Sequence, residues 1–207
     1  MNNEQPKRSK KGNRVCVKEF GCDVLYRHDY DFRNDSISQY IEKSCNYLEE
    51  FLTNVPGSEN FKTFLDVGCG NAQALNYFKD QYDCKGIDKY PQSPDERIIE
   101  GDFYKLSELV GPQDIIFCNH TLEHSLAPLL LEQISKVHKK GGVIFIAVPD
   151  GDYSWAYDIT SSTTHWSLFN LGFLRHMLSK YGYECHVCKK CFRDDKGELF
   201  AVGIKRF

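Results

Sequence analysis

The sequence predicts an α/β fold: a doubly wound, mostly parallel sheet with helices on both faces and an antiparallel C-terminal hairpin strand. Three observations lead there. From Phe61 onward, short apolar runs alternate with amphipathic helical stretches, the pattern of successive βα units. One of these runs, Thr63 to Val67, stops at Gly68 and Gly70 and turns straight into a helix. Near the end, Tyr183 to Phe192 and Glu198 to Ile204 alternate like strands and are joined by Arg193-Asp-Asp-Lys-Gly197, a hairpin connection.

Each element follows in order. Residues 1–14 carry five basic groups (Lys7, Arg8, Lys10, Lys11, Arg14) against Glu4 and read as a disordered basic tail. Val15 to Phe32 is aromatic-rich and irregular, with Phe20, Tyr26, Tyr30 and Phe32 close together. Asp35-Ser36 starts a helix to about Leu52, whose stripe is Ile37, Ile41, Cys45, Leu48 and Phe51. Pro56-Gly57-Ser58 then breaks the chain, so residues 15–60 form an N-terminal helical cap segment and 61–207 the main domain. After the first strand, Asn71 caps a helix from Ala72 to Lys79 that turns Leu75 and Phe78 to the sheet. Cys84 to Asp88, Ile98 to Asp102 and Asp114 to Cys118 are the next strands. Ser125 to His138 is a helix with Pro128 in its first turn, stopped by Lys139-Lys-Gly-Gly142. Val143 to Val148 is the fifth strand, and Asn170 to Tyr181 a helix ended by Gly182.

Composition narrows the function classes. A chain of 207 residues, 41% hydrophobic, suffices for one sizeable folded domain but not two. It has no apolar run of membrane-spanning length and no apolar signal-peptide core, which points to a cytoplasmic protein without a membrane span. Nine cysteines is an odd number, and Cys69, Cys84 and Cys118 fall in the glycine loop or in strands, which suits reduced, buried thiols. Cys185-x-x-Cys188-x-x-Cys191 has metal-like spacing, but in a strand 185 and 191 share one face and 188 points away, so no metal is expected. Beyond the tail, 21 basic residues meet 28 acidic ones, a net charge of −7. The tail is either a solvated terminus or an electrostatic arm for nucleic acid.

The loop Phe64-Leu-Asp-Val-Gly-Cys-Gly-Asn-Ala-Gln73 offers a ligand glycine backbone, a helix N-terminus and one carboxylate. Gln73 breaks the dinucleotide pattern G-x-G-x-x-G, and no Gly-Lys-Ser/Thr follows, which removes the P-loop. What remains, Asp66-x-Gly68-x-Gly70-x-Ala72, resembles motif I of the class I S-adenosylmethionine-dependent methyltransferases, a Rossmann-like family. There the last position is commonly glycine, so Ala72 is a departure. Asp88 lies 18 residues after Gly70, near the spacing at which an acid meets ribose hydroxyls. The resemblance implies that Asp66, Gly68, Gly70, Asp88, Asp102, Phe103 and Asn119 hold S-adenosylmethionine, with Asp102 at the adenine amino group and Phe103 along the ring. The plainer alternative for Asp102 is an N-cap of the segment Phe103 to Val110.

Asn119-His-Thr-Leu-Glu-His124 follows the fourth strand, on the side of the sheet where ligands sit. With Lys139-Lys-Gly-Gly142 and His165-Trp166, it resembles the small-molecule branch of the family, the ubiquinone-biosynthesis and sugar or natural-product methyltransferases. The Asp/Asn-Pro-Pro-Tyr/Phe signature, a lysine ending the fourth strand and a Pro-Cys nucleophile are all missing, which weighs against a nucleic-acid substrate. The expected reaction is methylation of a small-molecule hydroxyl. Its histidine candidates are His165, His124 and His120, since imidazole suits proton removal near neutral pH. The rivals are an RNA or protein methyltransferase anchored by the basic tail, a non-catalytic S-adenosylmethionine-binding partner protein, and an NAD-dependent enzyme, against which Gln73 counts. Oligomeric state leaves no trace in the sequence.

Overall fold

A computed structural model describes residues 14–19, 22–27, 38–152, 165–193 and 196–207. The expected basic tail, save Arg14, lies outside the described residues, as do Tyr30, Phe32 and the Ser161-to-Thr164 loop.

The chain begins with a two-stranded antiparallel hairpin, β1 (Arg14–Glu19) and β2 (Cys22–Arg27). This corrects the irregular reading of Val15 to Phe32. The alternation of Val15 and Val17 was the strand signal hidden among the aromatics. Next comes α1 (Gln39–Leu52), capped by Ser38, whose side chain accepts from the Ile41 amide. Asp35-Ser36 therefore does not start the described helix.

The main sheet contains β3 (Thr63–Val67), β4 (Asp83–Asp88), β5 (Ile98–Glu100), β6 (Gln113–Asn119), β7 (His138–Pro149), β8 (Tyr183–Arg193) and β9 (Lys196–Lys205). Its order is β5-β4-β3-β6-β7-β9-β8. β3 to β7 run parallel; β9 is antiparallel to β7, and β8 to β9. The doubly wound α/β class with an antiparallel C-terminal hairpin is therefore the one observed. The helices are α2 (Gln73–Phe78), α3 (Leu106–Leu109), α4 (Ala127–Val137) and α5 (Leu171–Lys180).

Period-two alternation divides the core between the faces of the sheet. One face carries Phe64, Phe117, Phe145 and Phe200, in successive ring contacts with centroids 5.9, 4.9 and 5.3 Å apart. Cys45, Leu48 and Leu52 of α1 and Leu75 and Phe78 of α2 cover it. The other face carries Leu65, Val67, Ile116, Ile144 and Ile146, under Leu106, Leu130, Ile134, Leu174 and Leu178. Each such side chain contributes about 1.5–3 kcal/mol by burial, so both layers are needed to hold the sheet.

Two further expectations are corrected. β7 starts at His138 rather than Val143, because His138 already pairs with Gln113; Lys139-Lys-Gly-Gly142 is strand, with Gly141 at φ +84°. The segment Phe103 to Val110 is a 3-10 turn, Phe103–Lys105, followed by the single turn of α3. No helix among the described residues is long and apolar enough to cross a membrane.

Candidate active site

The C-terminal ends of the parallel strands converge on one rim, where ligands of open α/β sheets bind. At the end of β3, Gly68 adopts φ +80° and Gly70 φ +50°. The amides of Gly68 and Cys69 both donate to the Ile87 carbonyl, at 2.8 and 3.2 Å, which straps the loop to β4. A Cβ on Gly68 would lie 2.0 Å from Thr121 Oγ1, so the segment after β6 leaves room only for glycine. Around Gly70 nothing comes nearer to such a Cβ than the Gln92 side chain, at 3.7 Å, and the backbone stays open to a ligand. Asn71 does not cap α2. The N-cap is Ala72, which is left-handed at φ +63° and makes no side-chain cap bond. Glycine's freedom at positive φ explains why that residue is common at the equivalent position in the resembled motif.

Asp88, at the end of β4, accepts from the Gly70 amide through Oδ2 and from the Tyr90 amide through Oδ1, both at 2.8 Å. Each oxygen keeps a lone pair for a second donor. Asp66 is 5% exposed and accepts no side-chain hydrogen bond among the described residues. Burial, and then the charge of Asp88, push its carboxyl well above the ordinary range. A cationic ligand group beside these two acids relieves that repulsion. Asp102 follows β5 and caps the 3-10 turn, with Oδ1 accepting from the Tyr104 amide at 2.9 Å, so its N-cap reading is realised. Three acids thus stand at the ends of three neighbouring strands, in sheet order β5-β4-β3. Phe103, half-buried, meets Tyr104 edge-on beside them.

The other half of the rim belongs to β6. Asn119 Oδ1 accepts from Ser44 Oγ of α1 at 3.0 Å, which fixes the side chain under that helix. His120 takes φ +52° and donates its amide to Ala147 of β7. A 3-10 turn, Leu122–His124, then buries Glu123 to 1% exposure. Glu123 Oε1 lies 3.0 Å from His120 Nδ1 and 3.9 Å from His124 Nε2. His165 arrives from far along the chain, because the Trp166 and Ser167 amides both donate to the Glu123 carbonyl, at 2.7 and 3.2 Å. Its ring packs against His124, with centroids 4.7 Å apart. Burial lowers the His165 pKa to about 4, with Glu123 opposing and both neighbouring histidines adding to the effect. His120 moves the other way: burial would lower it, but Glu123 and Glu198 outweigh burial and raise it.

All three candidate histidines therefore surround one carboxylate. Glu123, which joins them, is not among the site residues expected from the sequence; its i−3 and i+1 spacing to two histidines was the available signal. Ser44 and Glu198, 4.0 Å from His120 Nε2, also escaped notice because the contacts are tertiary. Cys185 to Cys191 lies within β8, as expected. A surface groove lined by Leu52, Asn54, Pro56, Glu59 and Tyr82 lies near the opposite end of the strands, away from these groups.

Residues 37–187 match a family described as a methyltransferase domain. None of the curated proteins matches the chain in sequence. Among solved structures, it resembles an S-adenosylmethionine-dependent methyltransferase from Archaeoglobus fulgidus with 15% identity and a TM-score of 0.63, over 79% of this chain and 94% of that one. The plantazolicin methyltransferase, solved with a pentazolic substrate analogue and S-adenosylhomocysteine, gives 16% identity and 0.66, over 86% and 89%. Magnesium protoporphyrin IX methyltransferase from Synechocystis gives 11% and 0.55, over 84% and 91%. At these identities the likeness is one of fold.

Proposed function

The chain belongs to the methyltransferase-domain family, and from that premise we propose that it transfers a methyl group from S-adenosylmethionine to a hydroxyl of a small-molecule acceptor. The observation that carries this reading is the open glycine cradle whose Gly70 amide is locked to Asp88, with Asp66 buried beside it and Asp102 one strand further on. In this reading Asp88 accepts from the ribose hydroxyls through its spare lone pairs, and Asp66 faces the cationic end of the cofactor. Asp102 and Phe103 hold the adenine, while Gly68, Gly70 and Asn119 line the remaining wall. The cofactor supplies an electrophilic methyl on a sulfonium.

On the acceptor side, the residues align the hydroxyl oxygen with that methyl and remove its proton. With the cofactor bound, the hydroxyl oxygen would take the methyl while the sulfur would keep the electron pair of the broken S–CH3 bond, and an imidazole of this chain would accept the hydroxyl proton. Of His120, His124 and His165, His120 is best placed to receive it. Glu123 at 3.0 Å from Nδ1 stabilises the imidazolium as the buried acid of a catalytic triad does. His124 and His165 then border the acceptor. A methyl acceptor on RNA, held by the basic tail, is the competing reading.

Calorimetric titration of the full chain with S-adenosylmethionine tests the cofactor site. Micromolar binding is expected, and Asp88→Ala should abolish it while the protein still melts cooperatively. A folded wild-type chain that binds none overturns the proposal. A mass-spectrometric screen of hydroxylated small molecules against RNA, with the full chain and one lacking residues 1–14, separates the two acceptor classes.

A further inference from the structure

We infer that Glu123, His124 and His165 form a site for a divalent first-row transition cation on the acceptor side of the rim. One ligand atom from each lies within 4.8 Å of the other two. Such an ion bonds nitrogen and carboxylate oxygen at about 2.0–2.2 Å, which brings ligand atoms to roughly 3–3.5 Å from one another.

The backbone is already committed to this arrangement. The Glu123 carbonyl accepts from both the Trp166 and Ser167 amides, and Ser167 Oγ donates to the Ser125 carbonyl at 3.1 Å. Residues 41 positions apart are thereby clamped so that their side chains face one point. What stands at that point is otherwise costly. Neither carboxylate oxygen of Glu123 accepts a hydrogen bond among the described residues, and His165 Nδ1 is also buried without one. A buried group left unsatisfied carries its full desolvation cost, and a charged one carries more. Pairing with His120, 3.0 Å away, compensates one oxygen by charge and leaves the other oxygen and His165 Nδ1 without a hydrogen-bond partner among the described residues. A cation joins all three. In that arrangement His120 becomes the outer partner that orients the ligating carboxylate, as such partners do in metal sites.

Donor chemistry selects the ion. Two imidazoles and one carboxylate suit Mn, Fe, Co or Zn in the divalent state, whereas Mg and Ca prefer all-oxygen surroundings. Three protein ligands leave coordination positions open, and His124 keeps 22% of its side chain exposed on the solvent side. The cation's use rests on the function proposed above; its binding does not. In that function it receives the acceptor hydroxyl and a neighbouring oxygen, which narrows the acceptor to a vicinal diol or phenolic pair and makes the hydroxyl easier to deprotonate.

Manganese(II), followed by electron paramagnetic resonance on the full chain, is the direct probe, because it avoids the nine thiols. One bound ion per chain is expected, weakened at least ~10-fold by His165→Ala and by His124→Ala. Thermal melts identify any variant that fails to fold, in which case the other one decides. Cobalt(II) adds a second readout: an absorption spectrum of nitrogen and oxygen ligation supports the site, and a thiolate charge-transfer band assigns the ion to cysteine and overturns it. Binding unaltered in both variants, or none by the wild type, also overturns it. S-adenosylmethionine titrated into the same samples separates the outcomes, since retained cofactor binding without manganese removes the cation and leaves the methyltransferase reading intact.

Discussion

The two ends of the sheet bury carboxylates in opposite ways. At the N-terminal end, Asp114 Oδ2 accepts from the Lys62 and Thr63 amides and from Thr63 Oγ1, while Lys139 meets Oδ1 at 2.8 Å. Burial would raise its pKa, but these partners outweigh it and hold the carboxyl below the usual range. Beside it, His138 sets Nδ1 2.8 Å from the Tyr183 hydroxyl and Nε2 3.3 Å from the Asp114 carbonyl. A carbonyl only accepts, so Nε2 carries the proton and Nδ1 accepts from Tyr183. At the C-terminal end, Glu123 is just as buried, yet neither of its oxygens accepts a hydrogen bond among the described residues, and Asp66, equally buried, faces the charge of Asp88. Polar burial with matched partners is architecture, and polar burial without them marks the place reserved for ligands.

Substitutions at the two ends should therefore differ in sign. The largest effect is expected from Asp114→Ala, which strips four donors of their acceptor and should cost about 3–5 kcal/mol in chemical denaturation. Cofactor affinity of the folded fraction should be unchanged. A fall in affinity with no loss of stability would erase the distinction between the ends.

Next comes pH. Burial lowers the His138 pKa to about 4, with its partners only partly opposing. The unfolded chain, at about 6.5, binds the proton more readily, so stability is complete above that value and is lost as pH falls towards 4. The loss approaches about 3 kcal/mol. Denaturation midpoints measured across that window should show the slope, and His138→Gln should flatten it.

The opposite sign is expected at the ligand end. The Asp66 carboxyl is easier to protonate folded than unfolded, so its ionised form opposes folding as pH rises above the ordinary carboxylate range. Asp66→Asn should leave stability unchanged or raise it by about 1–2 kcal/mol while cofactor affinity falls at least ~10-fold. Calorimetry and melting on one sample would sharpen the contrast. The smallest effect belongs to Ala72→Gly. Relief of the left-handed conformation, about 1–2 kcal/mol, is offset by about 0.8 kcal/mol for the lost buried methyl, leaving a net gain of about 1 kcal/mol or less in thermal melts.

Sequence reading succeeded where chemistry repeats along the chain. The apolar run of Thr63 to Val67 and the alternation of the C-terminal hairpin placed the strands, and Gly68-x-Gly70 placed the loop, because a run, a period or a positive φ is a local property. It failed where neighbours in space decide. Nothing next to Asn71 says that Ala72 takes the left-handed turn, and Lys139-Lys-Gly-Gly142 ends a helix in sequence but lies inside β7, as the bulge between His138, which pairs with Gln113, and Val143, which pairs with Ile115.

The amino-acid sequence by itself determined the order of the βα units, the family motif and the identity of each strand-end acid, since these depend on residue type and spacing. Only the tertiary structure decided which of those acids are satisfied by hydrogen bonds and which are not. The histidine cluster is the plainest case: His165 reaches Glu123 through two backbone hydrogen bonds that close a long loop, and no local pattern encodes that closure.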